Sequence, residues 1–286
     1  MRDLVSVVVP TRNRSRLLRD CLESLTRQAF PEHCFEIIAV DDGSDDDTVP
    51  VVRSLAAKTV APRVSVIRSP GTGLNAARNT GAAAASGDPV VLLDDDTEAP
   101  VNWLSAFVEA TRKWPQAACF GGPVRLRLEG APPRLCGREP LGESEFDLGD
   151  QECTTLYVLG GNMAVRRWAF TRAGWFDPEL LGPGDCAEWQ ERLRARGGEV
   201  RYVPEAWIWH RRTADALRLG AMVRNRFRYG IGGATFERRV GRSTSPWREV
   251  PKIFRYLAHG VRWRCAWGLL AASTSAGRFW GGLRSS

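Results

Sequence analysis

Between Pro89 and Pro100 the sequence reads PVVLLDDDTEAP. Four apolar residues, Val90, Val91, Leu92 and Leu93, run directly into three carboxylates, Asp94, Asp95 and Asp96. A continuous apolar run this short, with β-branched members, is the pattern of a strand buried on both faces of a parallel sheet. The acids then stand at its carboxyl end, where open α/β sheets bind ligands. Three adjacent carboxylates repel one another and need positive charge among them. For hard oxygen ligands that charge is commonly Mg²⁺ or Mn²⁺. A solvated acidic turn is the plainer alternative.

The rest of the first 210 residues alternates strand and helix patterns. Leu4 to Val9 reads as a first strand, Pro10 to Arg14 as its loop, and Ser15 as the cap of a helix with Leu17, Leu18, Cys21, Leu22 and Leu25 on one face. Phe35 to Val40 is a second strand that also ends in acids, Asp41 and Asp42. A helix over Val49 to Ala57 and a strand over Val64 to Ile67 follow. Gly71-Thr72-Gly73 opens an alanine-rich helix ending near Gly87, whose small residues suit close packing on a sheet. Its cation, Arg78, either snorkels or binds an anion. Position 76 is alanine, so the glycine pattern of a dinucleotide site is incomplete.

Beyond the acids, Val101 to Trp114 predicts a helix, and Ala117 to Phe120 and Val124 to Leu128 predict strands. Residues 129 to 155 predict a long surface loop ordered on ligand binding. Leu156 to Leu159 predicts a strand and Arg166 to Ala173 a helix. Asp185 stands at the start of a helix reaching Arg196, where a cap is the plain reading. Val200 to Val203 and Ala206 to Trp209 predict strands, the latter delivering His210 at its end. The expected class is α/β, a mostly parallel sheet flanked by helices.

At 286 residues and 43% hydrophobic content, the chain can bury a substantial core. Seven cysteines with no CxxC pair suggest neither a disulfide framework nor a zinc knuckle, and fit a reducing cytoplasm. The opening MRDLVSVVVP matches neither a signal peptide nor a spanning helix. The net charge of +7 is uneven: residues 211–286 hold 16 Lys and Arg against 3 acids.

In order and spacing, VSVVVPTRNR, AVDDGSDDDT, GLNAARNTGAAAASGDPVVLLDDDTEAP, GGNMAVRRWAF and GWFDPELLGPGDCAEWQERLRARG resemble the family 2 glycosyltransferases of GT-A fold. The resemblance covers about residues 4 to 212. It implies that Pro10, Thr11, Arg14, Asp41 and Asp42 line a nucleotide pocket, with one carboxylate facing the base, and that Arg78 approaches base or diphosphate. The metal motif falls on the acid triplet, with Asp96 holding Mn²⁺ or Mg²⁺, Asp94 touching ribose or metal, and Asp95 on the donor. It implies further that His210 is another metal ligand and that Gly161 and Asn162 lie on the acceptor side. The motif carrying the catalytic base departs from the family: Cys186 stands where the second acid of a Glu-Asp pair is usual. Asp185 is then the expected base and Glu188 the reserve.

The resemblance divides the chain into a catalytic domain over 1–212, with a nucleotide-binding half to residue 100 and an acceptor-binding half after it, and a basic, aromatic-rich helical extension over 213–286. It implies an inverting, metal-dependent transferase moving a sugar from a nucleotide-sugar donor, a UDP-sugar first, to a hydroxyl of a glycan, lipid-linked or small-molecule acceptor. Two rivals stand beside it. A sugar-phosphate nucleotidyltransferase would need a glycine-rich loop where PTRNR stands. A degenerate sugar-nucleotide-binding subunit has Cys186 as its support. The extension interleaves Arg with Trp and Phe, the composition of an interfacial segment, and predicts peripheral attachment to an anionic cytoplasmic membrane face. Helices packed on the catalytic domain are the next reading. Without a recognised motif, the charge gives no reason to expect nucleic acid.

Overall fold

The structure, a computed structural model, describes residues 4–71, 73–136, 145–180, 184–242 and 245–283. The strands are β1 (Val5–Thr11), β2 (Phe35–Asp41), β3 (Arg63–Arg68), β4 (Val90–Leu93), β5 (Thr97–Glu98), β6 (Cys119–Gly121), β7 (Val124–Glu129), β8 (Cys153–Thr154), β9 (Asn162–Val165), β10 (Val200–Tyr202) and β11 (Ile208–Thr213). The helices are α1 (Ser15–Thr26), α2 (Thr48–Lys58), α3 (Leu74–Ala84), α4 (Trp103–Lys113), α5 (Arg167–Ala173), α6 (Asp185–Ala195), α7 (Leu219–Arg239), α8 (Val250–Trp263) and α9 (Ala266–Leu283). Two compact units result. Met1–Leu126, Ser144–Pro178 and Trp189–Arg211 form one; Arg127–Glu143, Glu179–Glu188 and Arg212–Ser286 form the other.

The first unit is built on an eight-stranded sheet ordered β3-β2-β1-β4-β9-β6-β10-β8. β1 pairs in parallel with β2 and β4, and β2 with β3, so β1, β2 and β4 end at the same edge. All seven residues of β1 and of β2 and all four of β4 are buried, which is why these strands read as unbroken apolar runs. β9 enters antiparallel between β4 and β6. The mostly parallel sheet is as expected; periodicity carries no sign of strand direction, so the reversal at β9 was not legible.

α3 packs on the sheet through its small residues. A Cβ on Gly81 would overlap a methyl of Val8 and lie 2.8 Å from Val40 Cγ2. The first turn of α1 is held from outside: Ser15 is its first helical residue, and its N–H donates to Asp46 Oδ2 at 3.0 Å. Ser15 is therefore not the cap, because the Asp46 carboxylate does that work.

Three further expectations are corrected. Residues 156–159 form no strand. Leu156 and Tyr157 are exposed, and the backbone of Val158 is met by the Gln190 amide, at 2.8 Å to its N–H and 2.9 Å to its carbonyl, in place of a neighbouring strand. His210 lies inside β11 rather than after a strand over 206–209. The 129–155 stretch is not all loop: Cys153–Thr154 form β8, antiparallel to β10, and the part described from residue 145 is fastened to the sheet. Phe146 exchanges backbone hydrogen bonds with Val124 at 2.7 and 3.0 Å, and the Tyr202 hydroxyl donates to Asp147 at 2.9 Å. Residues 137–144 lie outside the described residues.

The second unit contains α7, α8 and α9. α7 and α9 cross where Gly230 faces Thr274 O and Gly277 faces Phe227 O, too close for any side chain. Arg278 on α9 pairs with Glu237 at 2.5 Å and with Glu249 at 3.6 Å. Cys136 and Cys265 are joined, with Cα atoms 5.9 Å apart, a pairing that a sequence separation of 129 hid. Among the described residues, no helix is long and apolar enough to cross a membrane.

The α3 packing has a measurable consequence. Gly to Ala in a helix interior ordinarily stabilises by about 1 kcal/mol, but at Gly81 the added methyl has no room. Overpacking of about 1–3 kcal/mol wins, so Gly81→Ala should lower the urea midpoint; an unchanged or higher midpoint would contradict the packing.

Candidate active site

The shared edge of β1, β2 and β4 gathers the polar residues. Thr11 closes β1 opposite Asp41, which closes β2, and Asp94 follows β4 directly. Asn13, in the left-handed region at φ 53°, turns the chain between Thr11 and α1; its amide oxygen accepts from Asp45 N at 2.8 Å. Asn tolerates that conformation better than most residues. The turn carries Arg14 to the acid triplet.

Each of the three carboxylates meets a cation, and Asp95 and Asp96 share one. Asp95 is buried, accepting from Thr11 Oγ1 at 2.7 Å and Arg14 Nη1 at 2.9 Å. Asp96 accepts from the same Arg14 nitrogen at 3.0 Å, and its Oδ1 lies 3.1 Å from His210 Nε2. Asp94, a third exposed, faces the buried Arg78 guanidinium at 3.3 Å. Burial pushes the Asp95 carboxyl up to about 6, Asp96 adds to the push, and Arg14 and Thr11 pull the other way. Burial opposes the charge of Arg14, but Asp95 and Asp96 outweigh it and raise its pKa.

His210 arrives by register: β11 pairs antiparallel with β5, His210 opposite Thr97, and Arg211 N donates to Asp96 O at 2.8 Å. Gly161 makes room for the other end of the triplet, since a Cβ there would overlap the Asp94 carboxylate. Asn162 is fully buried. Its oxygen accepts from Trp103 Nε1 at 2.8 Å and its amide donates to Ala206 O at 2.7 Å and Pro123 O at 3.2 Å. Its side chain joins α4, β9 and two loops, and so is not presented to an acceptor.

On the β2 side, Asp41 Oδ1 accepts from Ser44 N at 2.9 Å and Asp42 Oδ2 from Gly73 N at 3.0 Å. Their other oxygens, Asp41 Oδ2 and Asp42 Oδ1, are buried with no hydrogen-bond partner. Arg68 stands 3.5 Å from the former but is mostly in solvent. Buried acceptors left open are suited to N–H or O–H groups of a ligand. Pro10 is buried within β1.

Asp96 and His210 offer an oxygen and a nitrogen to one point, a donor set that suits Mn²⁺ or Mg²⁺ when phosphate oxygens and water complete the shell. Asp94 does not close a three-residue cluster with them; it is turned to Arg78. Asp185, Cys186 and Glu188 belong to the second unit. Asp185 and Glu188 are buried at the start of α6, and Cys186 N donates to Asp185 Oδ1 at 2.6 Å. Residues 181–183 lie outside the described residues.

Sequence reasoning missed several supporting residues. Cys21, its thiol pushed up by burial, lies against Asp94 O at 3.7 Å. Arg211 pairs with Asp20 and, at 3.8 Å, with Glu98. Asn75 and Asn79 on α3 hold the 176–177 backbone. Of these, Asn75, Asn79 and Glu98 fall within a block that carries the family resemblance.

Comparison with known proteins gives the family and the fold. Residues 6–171, more than half of the chain, match Glycosyl transferase family 2. The chain is 37% identical over 229 residues to the GalNAc(5)-diNAcBac-PP-undecaprenol beta-1,3-glucosyltransferase of Campylobacter jejuni, covering 80% of this chain and 71% of that one. It is 30% identical over 244 residues to validoxylamine A glucosyltransferase of Streptomyces hygroscopicus, covering 74% of this chain but only 53% of that relative's length. In fold it is similar to the mannosyltransferase PcManGT of Pyrobaculum calidifontis, solved with GDP-Man and Mn²⁺, at a TM-score of 0.65 and 18% identity over 96% of this chain and 74% of the other. The chain belongs to glycosyl transferase family 2, with the GT-A type of α/β sheet.

Proposed function

We propose that the chain is an inverting, divalent-metal-dependent glycosyltransferase that moves a sugar from a UDP-sugar to a hydroxyl of a glycan, lipid-linked or small-molecule acceptor. The observation that carries this reading is Asp96 beside His210 at the carboxyl end of the parallel strands. The open acceptors of Asp41 and Asp42 would receive the base N–H and a ribose hydroxyl. Arg78, already facing Asp94, stands ready for an anionic group of the donor. Asp96 and His210 would hold Mn²⁺ or Mg²⁺. Such an ion neutralises charge on the diphosphate as the glycosidic bond breaks.

An acceptor hydroxyl needs a carboxylate to take its proton. Asp185 is the proposed base, with Glu188 in reserve, and direct displacement with one base inverts the anomeric centre. Asp185→Asn should lower kcat by about 10²–10⁴-fold, the range of general-base contributions, while nucleotide affinity stays unchanged. Asp96→Ala or a chelator should remove transfer altogether. If Glu188→Gln shows the loss and Asp185→Asn does not, the base is Glu188. If the wild type binds donor but neither transfers nor hydrolyses it, the binding-subunit reading prevails.

Asp95 links this reading to pH. With its folded-state pKa near 6, above the ordinary carboxylate value, the proton favours the folded chain. That contribution is full below the ordinary value and is lost as pH rises through about 6, so Asp95 does not drive acid unfolding. Protonation does weaken its pairing with Arg14. In the metal-free chain the Asp95 carboxyl carbon should titrate near pH 6 by NMR without unfolding, and titration in the ordinary carboxylate range would contradict its burial.

We also propose that the second unit rests on an anionic membrane surface through α8. Phe254 is 69% exposed, Val261 81% and Trp263 56%, and no acid interrupts Val250–Trp263, which carries Lys252, Arg255 and Arg262. Apolar and cationic groups on one exposed helix suit the headgroup boundary. The chain should float with phosphatidylglycerol vesicles and not with phosphatidylcholine alone, and Phe254→Ser with Val261→Ser should abolish flotation. Equal recovery without vesicles would refute attachment.

A further inference from the structure

The second unit brings together Cys136, His259 and Cys265, with both sulfurs and one imidazole nitrogen within 4.8 Å of one another. Local geometry builds the group. After α8 the chain passes through Arg264 in the left-handed region at φ 45°, and Cys265 N donates to Gly260 O at 3.1 Å. That reversal returns Cys265 toward His259. Ala266 N donates to Arg134 O at 2.9 Å, tying the segment that carries Cys136 to the same turn. Cys136 itself has φ 55°, a conformation uncommon for a residue with a side chain.

His259 meets Trp267 edge-on at 5.3 Å, and its Nε2 is buried with no hydrogen-bond partner. The structure joins the two sulfurs as a disulfide, which leaves that nitrogen unsatisfied. A buried polar atom without a partner is a standing cost. A thiol reductant delivering two electrons and two protons would convert the pair to two thiols beside the imidazole.

We propose that in the reduced chain Cys136, His259 and Cys265 bind one Zn²⁺. The ion replaces the two thiol protons, which leave to solvent; both sulfurs ligate as thiolates and the neutral imidazole supplies a nitrogen. Cys136 is only partly buried, so a water completes the four-coordinate shell. Thiolate and imidazole select zinc, whereas the carboxylate of Asp96 suits Mg²⁺ or Mn²⁺; the chain would thereby sort two metals between two sites. The zinc fastens the turn between α8 and α9 to the Arg134–Cys136 segment. Disulfide and zinc site use the same sulfurs and exclude one another.

The test uses the full chain, isolated anaerobically from zinc-supplied cells and treated with a thiol-alkylating reagent. Cys136 and Cys265 should be protected at first and labelled after a chelator alone, with release of one zinc per chain. Labelling that needs a reductant would mean a disulfide instead, and labelling without chelator would mean two free thiols; either overturns the proposal. Titration of the reduced apo chain with Co²⁺ should give a thiolate-to-cobalt charge-transfer band that Zn²⁺ removes. Cys265→Ser should lose the band and Asp96→Ala should keep it. Should Cys265→Ser fail to fold, His259→Ala retains both sulfurs and should weaken Co²⁺ by at least about tenfold, the scale on which even supporting contacts act. Unchanged Co²⁺ affinity in that variant would overturn the site.

Discussion

Everything at the shared edge of β1, β2 and β4 depends on how three adjacent carboxylates are kept together. Asp94, Asp95 and Asp96 would repel one another at a strand end, and the chain answers with Arg78 for the first, Arg14 shared by the other two, and Thr11 and His210 added to Asp95 and Asp96 in turn. These partners come from α3, from the end of β1 and the loop after it, and from β11, and are far apart in sequence. The sheet order puts β1 beside both β2 and β4, and that adjacency lets the loop after β1 reach the acids after β4. Fold and site are in this sense one constraint. Removing one counter-group leaves an uncompensated, largely buried charge, and such losses are costlier than the pairing itself is favourable.

Much of this was legible in sequence because its causes are local. An apolar run ending in acids predicts a doubly covered strand, and β4, buried at all four residues with Asp94, Asp95 and Asp96 after it, is that strand. The small residues of α3 announce close packing, and Gly81 against Val8 and Val40 realises it. What stayed hidden depends on tertiary pairing. The reversal at β9, the Gln190 side chain standing in for a strand beside Val158, and the burial of Asn162 among Trp103, Pro123 and Ala206 have no local signature.

Asn162 shows why a motif position is not by itself a contact. The residue is part of a recognisable block, yet its amide is wholly engaged in holding the fold, and its glycine neighbour is the one that shapes the site by admitting Asp94. Asp94 makes the complementary point. Its place in the acid triplet suggested a metal ligand, but its carboxylate faces Arg78, leaving Asp96 and His210 as the pair that meets. The cysteines behave likewise: spacing along the chain concealed Cys136 and Cys265, which the turn after α8 brings together.

The most direct test of the proposed donor site is calorimetric titration of UDP, GDP and dTDP into the chain, with Mn²⁺ and again with a chelator, in wild type and Asp96→Ala. UDP binding that needs Mn²⁺ and is weakened in Asp96→Ala is the predicted result, with GDP and dTDP binding more weakly. Absence of binding by any of the three nucleotides, with or without the metal, would contradict the assignment of these carboxylates to a sugar-nucleotide donor.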